Sequence, residues 1–158
     1  LVEFATEAQA RSAKQNLNRC PLFGQMIQVN LSKHNQIQMP REEDGKDLTK
    51  DFTNSDAHRF KHKQFMTQKN VNPPSQVLHV ANIHESVTEE DLVKLFAAHQ
   101  PTAPRAPLFE FFKTNRSMAY VGMNSVDEAV RALVNLHNYK LSYPLRVSFS
   151  HKDIHTMS

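Results

Sequence analysis

Two segments about 119 residues apart follow the same pattern, and this repeat limits what the chain can fold into more than any other feature. In the earlier segment Thr6 stands at a helix-cap position with Gln9 three residues on. Ala10, Ala13 and Leu17 then form a helical apolar stripe, Pro21 and Gly24 break it, and Ile27-Gln28-Val29-Asn30-Leu31 alternates as a strand. In the later segment Ser125 takes the cap position with Glu128 three residues on. Ala129, Ala132 and Leu136 repeat the stripe, and Leu145-Arg146-Val147-Ser148-Phe149 repeats the strand. Both strands run into Ser, basic and His residues, Ser32-Lys33-His34 and Ser150-His151-Lys152. The offset sets Leu1 against Tyr120 and Phe4 against Met123, so Leu1-Val2-Glu3-Phe4 reads as the tail of a strand. The earlier copy then lacks any counterpart of residues 78–119. The expectation is half a domain at residues 1–33, within a sequence that is part of a longer protein.

The later copy reads as complete. Strands are predicted at 76–82, 108–113, 117–123 and 144–150, and helices at about 88–98 and 126–137. Thr88 caps the first helix, and Glu89, Glu90 and Asp91 suit the positive end of its macrodipole. The order β-α-β-β-α-β predicts an α+β, ferredoxin-like domain over residues 75–153: a four-stranded antiparallel sheet with both helices on one side. Residues 34–74 form a linker. Its loop chemistry at Met39-Pro40 and Asn72-Pro73-Pro74 frames Leu48, Phe52, Phe60, Phe65 and Met66, too many apolar residues for a purely flexible tether, so part of it is expected to pack.

Alternation assigns the two faces of that sheet. Leu78, Val80, Phe109, Phe111, Ala119, Val121, Met123, Leu145, Val147 and Phe149 point to the helices. The open face receives His79, Phe112, Met118 and Tyr120 as stacking groups, Arg116 and Arg146 as phosphate ligands, and Ser148 and Ser150 for base edges. Lys33 and Lys152, beyond the last strand of each copy, join the candidates. Glu110 is the open-face residue that opposes an anion. On the last helix Val126, Val130 and Val134 make a second apolar stripe, on a different face from Ala129, Ala132 and Leu136. The first copy has Glu7, Arg11 and Gln15 there, so the stripe predicts inter-domain packing by the second module alone.

Composition narrows the function. The net charge is only +3, and residues 76–158 carry eight Lys/Arg against eight Asp/Glu, so a basic face must come from placement. Most acids of the second copy fall on its helices. No apolar run nears the roughly 18 residues of a membrane span. The single cysteine, Cys20, excludes an internal disulfide and fits a reducing compartment. Nine histidines without paired Cys or carboxylate spacing predict no metal site. Three glycines, no phosphate loop and no nucleophile–base pair predict neither a cofactor nor an enzyme.

Leu78-His79-Val80-Ala81-Asn82-Ile83 and Arg116-Ser117-Met118-Ala119-Tyr120-Val121-Gly122-Met123 resemble the hexamer and octamer motifs of the RNA recognition motif (RRM) family, with His79, Met118 and Ser117 departing from its usual aromatics and glycine. Those departures resemble the polypyrimidine tract-binding protein family. So does the linker segment Leu48-Thr49-Lys50-Asp51-Phe52-x-Asn54-Ser55-x-x-His58-Arg59-Phe60-Lys61, as do Leu145 to Ser150 and Leu31-Ser32-Lys33-His34. The resemblance implies a fragment running from the end of a third RRM through a fourth. It also implies binding of pyrimidine-rich, CU-containing single-stranded RNA by a monomeric nuclear protein of splicing and mRNA regulation that shuttles to the cytoplasm. In that family the last two RRMs pack through helices and linker with their sheets facing apart. The family's Ser at position 81 is Ala here, which implies one base-edge contact fewer. The competing expectation is a degenerate RRM that binds protein partners through its helices.

Overall fold

The computed structural model describes residues 1–39, 41, 48–55, 71–99 and 105–157. In chain order the elements are α1 (Glu7–Leu17), β1 (Pro21–Leu22), β2 (Gln25–Met26), β3 (Val77–Ala81), α2 (Glu89–Ala97), β4 (Leu108–Phe112), β5 (Asn115–Gly122), α3 (Val126–Leu136), β6 (Arg146–Phe149) and a 3₁₀ helix (Ile154–Thr156). The second copy forms the expected antiparallel sheet, in the order β4-β5-β3-β6. Linker residues Phe60, Phe65 and Met66, and the basic run 58–63, lie outside the described residues.

Strict alternation builds the core. Leu78 and Val80 of β3, Ala119 and Val121 of β5, and Val147 of β6 turn to one side, where they meet Leu92 and Phe96 of α2 and Ala129, Ala132 and Leu136 of α3; all are at most 2% exposed. Burying each large aliphatic or aromatic side chain here stabilises by about 1.5–3 kcal/mol. Helix α2 begins with a reciprocal cap. The Thr88 hydroxyl accepts from the Asp91 amide (3.2 Å), and the Asp91 carboxylate accepts from the Thr88 amide (3.0 Å) and hydroxyl (2.7 Å). Those bonds hold the Asp91 carboxyl below the usual carboxylate range. On α3 Ser125 accepts from the Glu128 amide at 3.1 Å.

The repeat is geometric as well as sequential. Helices α1 and α3 each have 11 residues at an offset of 119, with Thr6 and Ser125 as their caps. Each ends in an extended residue, Asn18 or His137, followed by one in the left-handed region, Arg19 (φ 63°) or Asn138 (φ 65°). The Asn18 Oδ1 accepts from the Val29 amide at 3.0 Å, just as the His137 ring Nδ1 accepts from Val147 at 3.2 Å. The resemblance stops at the sheet. Leu1–Phe4 and Ile27–Leu31, expected as strands, are irregular, with Leu1 86% and Val2 78% exposed. A strand needs a neighbour for its amides and carbonyls; Ile27 finds one, exchanging backbone bonds with Arg19 and Cys20 (2.8 and 3.0 Å), but the pairing goes no further along the segment among the described residues.

What the first copy does form is a two-residue hairpin that turns at Phe23 and Gly24, both at positive φ (52° and 84°), which matches the twist of the flanking strands. This hairpin packs on α3. The Gly24 amide donates to Asp127 Oδ1 (3.2 Å), and the Arg131 guanidinium lies 5.3 Å from the Phe23 ring centroid. Cys20 is buried beside it, and burial first, then the Asp127 charge, pushes its thiol pKa up. Of the valine stripe, Val130 is buried outside the main core, Val126 is half-buried and Val134 is exposed (52%). Val134 therefore does not belong to the packed patch. A two-residue strand covers roughly 7 Å, whereas the stripe runs about 12 Å along the helix. At the linker's end, the Asn72 side-chain amide donates to the Phe149 carbonyl at 3.1 Å, while Leu48 and Phe52 are exposed.

Two measurements check this account. Val130→Asp should destabilise the chain by more than about 2 kcal/mol in urea unfolding and move the Gly24 amide resonance, while Val134→Asp should stay within about 0.5 kcal/mol and leave Gly24 in place. Asp91, whose pKa is lowered in the fold, contributes its full stability above its unfolded pKa and loses it as pH falls through the folded value. Asp91→Asn should accordingly flatten the acid side of the stability profile.

Candidate nucleic-acid interface

On the face opposite the helices the pairing register sets three transverse rows. In the middle row Glu110 pairs with Tyr120, Tyr120 with His79 and His79 with Ser148. In the next row Met118 pairs with Ala81 and Ala81 with Arg146. Phe112 enters from the end of β4, where the ladder slips: Phe111 faces Ala119, but Phe112 faces Asn115. The slip tips the Phe112 ring toward β5. Its centroid is 4.7 Å from that of Tyr120 and 5.5 Å from that of His79, with His79 and Tyr120 at 5.9 Å. All three pairs are tilted, by 39° to 57°. Three half-buried rings in mutual contact form one apolar, polarisable surface to which planar groups can be added from solvent.

The charges around the rings differ from the expected pattern. Lys152 crosses back from beyond β6 to set its ammonium 4.8 Å from the Tyr120 ring centroid and forms an ion pair with Glu110. Glu110 thus loses its opposition to an anion, because its charge is matched on the same face. Arg146 remains beside Ala81, with one guanidinium nitrogen donating to Asn138 Oδ1 at 2.6 Å. Met118 and Ser148 stand on the open face, half-buried.

Three expected members are not there. The Arg116 guanidinium sits 4.7 Å from the ring centroid of Phe111, which packs against the core, and not beside the aromatic group. The slipped ladder leaves residues 116–118 without partners on β4, and such a bulge twists the strand so that parity no longer predicts the face. Ser150 is only 4% exposed. Its amide donates to the Val77 carbonyl, and its hydroxyl accepts from the Lys152 amide at 3.0 Å, so it turns the chain instead of facing a ligand. Lys33 is exposed on the first copy, hence on a different module from the rings.

The profile of the RRM domain family matches residues 68–154. The chain belongs to the RRM family. A second profile, of the RNA recognition motif (a.k.a. RRM, RBD, or RNP domain), matches residues 1–55, so both copies of the repeat carry RRM sequence. Among similar solved structures are the RNA15 RRM (23% identity, TM-score 0.41, covering 49% of this chain and 91% of that one) and the Rna15 RRM with bound RNA (GU) (24%, 0.43, 51% and 89%). In the second RRM the aromatic group occupies the two central motif strands and the edge strand β4. Strand parity puts Glu110 on the open face, but nothing local in the sequence signals its pairing with Lys152, 42 residues away. Among the described residues no group of three or more His, Cys, Asp or Glu is placed to hold a metal ion, and no helix is long and apolar enough to cross a membrane.

If the rings form one surface, proton NMR should show cross-relaxation within all three pairs of His79, Phe112 and Tyr120, and Phe112→Ala should shift the His79 ring protons. Rings lacking shared cross-peaks would mean the surface does not assemble in solution.

Proposed function

We propose that this chain binds single-stranded RNA on the open face of its second RRM, that it prefers pyrimidine-rich, CU-containing sequences, and that it acts in nuclear pre-mRNA splicing and mRNA regulation as a monomeric binding module without a catalytic step. The observation that carries the reading is the contact triad of His79, Phe112 and Tyr120 with the Lys152 ammonium on Tyr120. Rings accept stacked bases, and Lys152 and Arg146 stand where a backbone linking those bases would pass. Each stacked base contributes about 1–3 kcal/mol, so two or three, together with a few phosphate contacts, reach only the micromolar class, about 8 kcal/mol. Useful affinity then requires a second module on the same strand. The pyrimidine preference and the splicing role draw their support from the linker and final-strand resemblance to the polypyrimidine tract-binding protein family.

A protein partner on the helical side has less room than the sequence suggested. Val130 is already covered, since α3 packs on the first copy's hairpin. Among the described residues that side still offers the exposed Val134 and a shallow groove beside α2, lined by Val87, Asp91, Lys94, Leu95 and Leu141.

Titration with short CU-rich RNA against a purine control tests the proposal. Resonances of His79, Phe112 and Tyr120 should move with the pyrimidine ligand, and Tyr120→Ala and Phe112→Ala should each weaken binding by about 1–3 kcal/mol without unfolding the module. Binding should weaken with salt at a log–log slope of about −0.7 per phosphate contacted. A flat salt response would remove Arg146 and Lys152 as phosphate ligands. RNA-independent binding of a protein partner that perturbs only Leu95 and its neighbours would favour the helical reading.

A further inference from the structure

The third transverse row of the open face is closed over β5, β3 and the end of β6, and only Leu108 at its β4 end is exposed (44%). Leu108 pairs with Gly122, Gly122 with Val77, and the Ser150 amide bonds the Val77 carbonyl. By parity Val77, Gly122 and Ser150 lie on the same face as His79, Tyr120 and Ser148, yet Val77 is 1% and Ser150 4% exposed. The helices, packed on the other side, cannot account for that. Over Gly122 the cover is the segment that follows β6, while at the other end of the row the Ser75 hydroxyl sits against the Val77 and Ser150 carbonyls (3.0 and 2.7 Å). A side chain on Gly122 would meet Met157 Sδ at 3.1 Å and Ile154 Cγ1 at 3.3 Å, so these two residues lie directly on its backbone, and Met157 is itself 9% exposed.

The segment is held at several points. Ser150 turns it, Lys152 ties it to Glu110 on the far edge strand, and Asp153 caps the 3₁₀ helix by accepting from the His155 amide at 2.9 Å. The Asp153 carbonyl also accepts from the Thr156 hydroxyl at 2.7 Å. It therefore runs from β6 back across β3 and β5, immediately beside the row that carries Tyr120 and His79.

We propose that residues 152–157 form an end wall that sets how many nucleotides this RRM can hold. RNA lying along the face meets Ile154 and Met157 after the two aromatic-bearing rows, and the Lys152–Glu110 ion pair marks the boundary. The wall replaces nucleotide contact over Val77 and Gly122 with its own apolar side chains, so it limits the site without contributing a base-reading group there. This rests on the reading that the open face binds RNA.

The test uses the full chain and an Ile154→Ser/Met157→Ser variant, which keeps Lys152, titrated with a four-nucleotide and an eight-nucleotide CU-rich RNA. The wall predicts that the short RNA binds both proteins equally within about twofold, whereas the long RNA binds the variant at least about threefold more tightly. Val77 and Gly122 resonances should shift on adding the long RNA to the variant only. An unchanged ratio of long to short affinities, with binding intact, would overturn the wall and leave RNA binding standing. Absence of binding by either protein to either RNA would overturn both. A chain ending at Asp153 gives a second version of the same test should the double variant unfold, and it must show the same gain.

Discussion

Strand β3 is hydrogen-bonded on both sides, to β5 and to β6, and the rest of the module depends on that placement. A central strand with period-two side chains must send Leu78 and Val80 to one face and His79 to the other. Once α2 and α3 cover the first face, the register of the two ladders is fixed. A one-residue slip would expose Leu78 and Val80 to water and bury His79. The same ladders that secure the core therefore determine which groups stand side by side on the opposite surface. His79 and Tyr120 are neighbours because Val80 and Ala119 are.

Among its described residues the first copy has no such strand. It repeats the helix, the caps, the left-handed residue after the helix and even the side-chain acceptor for the following amide. Its alternating segment Ile27 to Leu31 nevertheless stays out of any sheet. Local chemistry is enough to end a helix and turn a chain. It does not supply the backbone partners a strand requires. The small hairpin that does form finds its surface on α3, through Asp127 and Arg131, so the two copies differ in what their last helices touch although they agree in helix length and in a hydroxyl cap.

On the open face, charge and shape are coupled through the segment that follows β6. Lys152 neutralises Glu110 and lies on Tyr120, while Ile154 and Met157 cover Gly122. A module with as many acids as bases thus presents no unmatched acid at its aromatic group. The acids of α2 and α3 stay on the other side.

Much of this was legible in the residues. Alternation alone placed His79, Tyr120, Met118 and Ser148 outward, and the spacing of Ala129, Ala132 and Leu136 identified the buried stripe of α3, because parity and helical period are local properties of the backbone. Arg116, Ser150 and Val134 were not legible. Each has the correct period and the wrong neighbours: a slipped ladder moves Arg116 to the Phe111 side, the returning C-terminal segment buries Ser150, and a hairpin too short to reach leaves Val134 in water. Where the ladders are regular, the residues alone tell which side chains share a face, since that follows from dihedral periodicity within a few residues. Which parts of that face are open depends on the fold, because cover comes from segments distant in the chain whose path depends on packing.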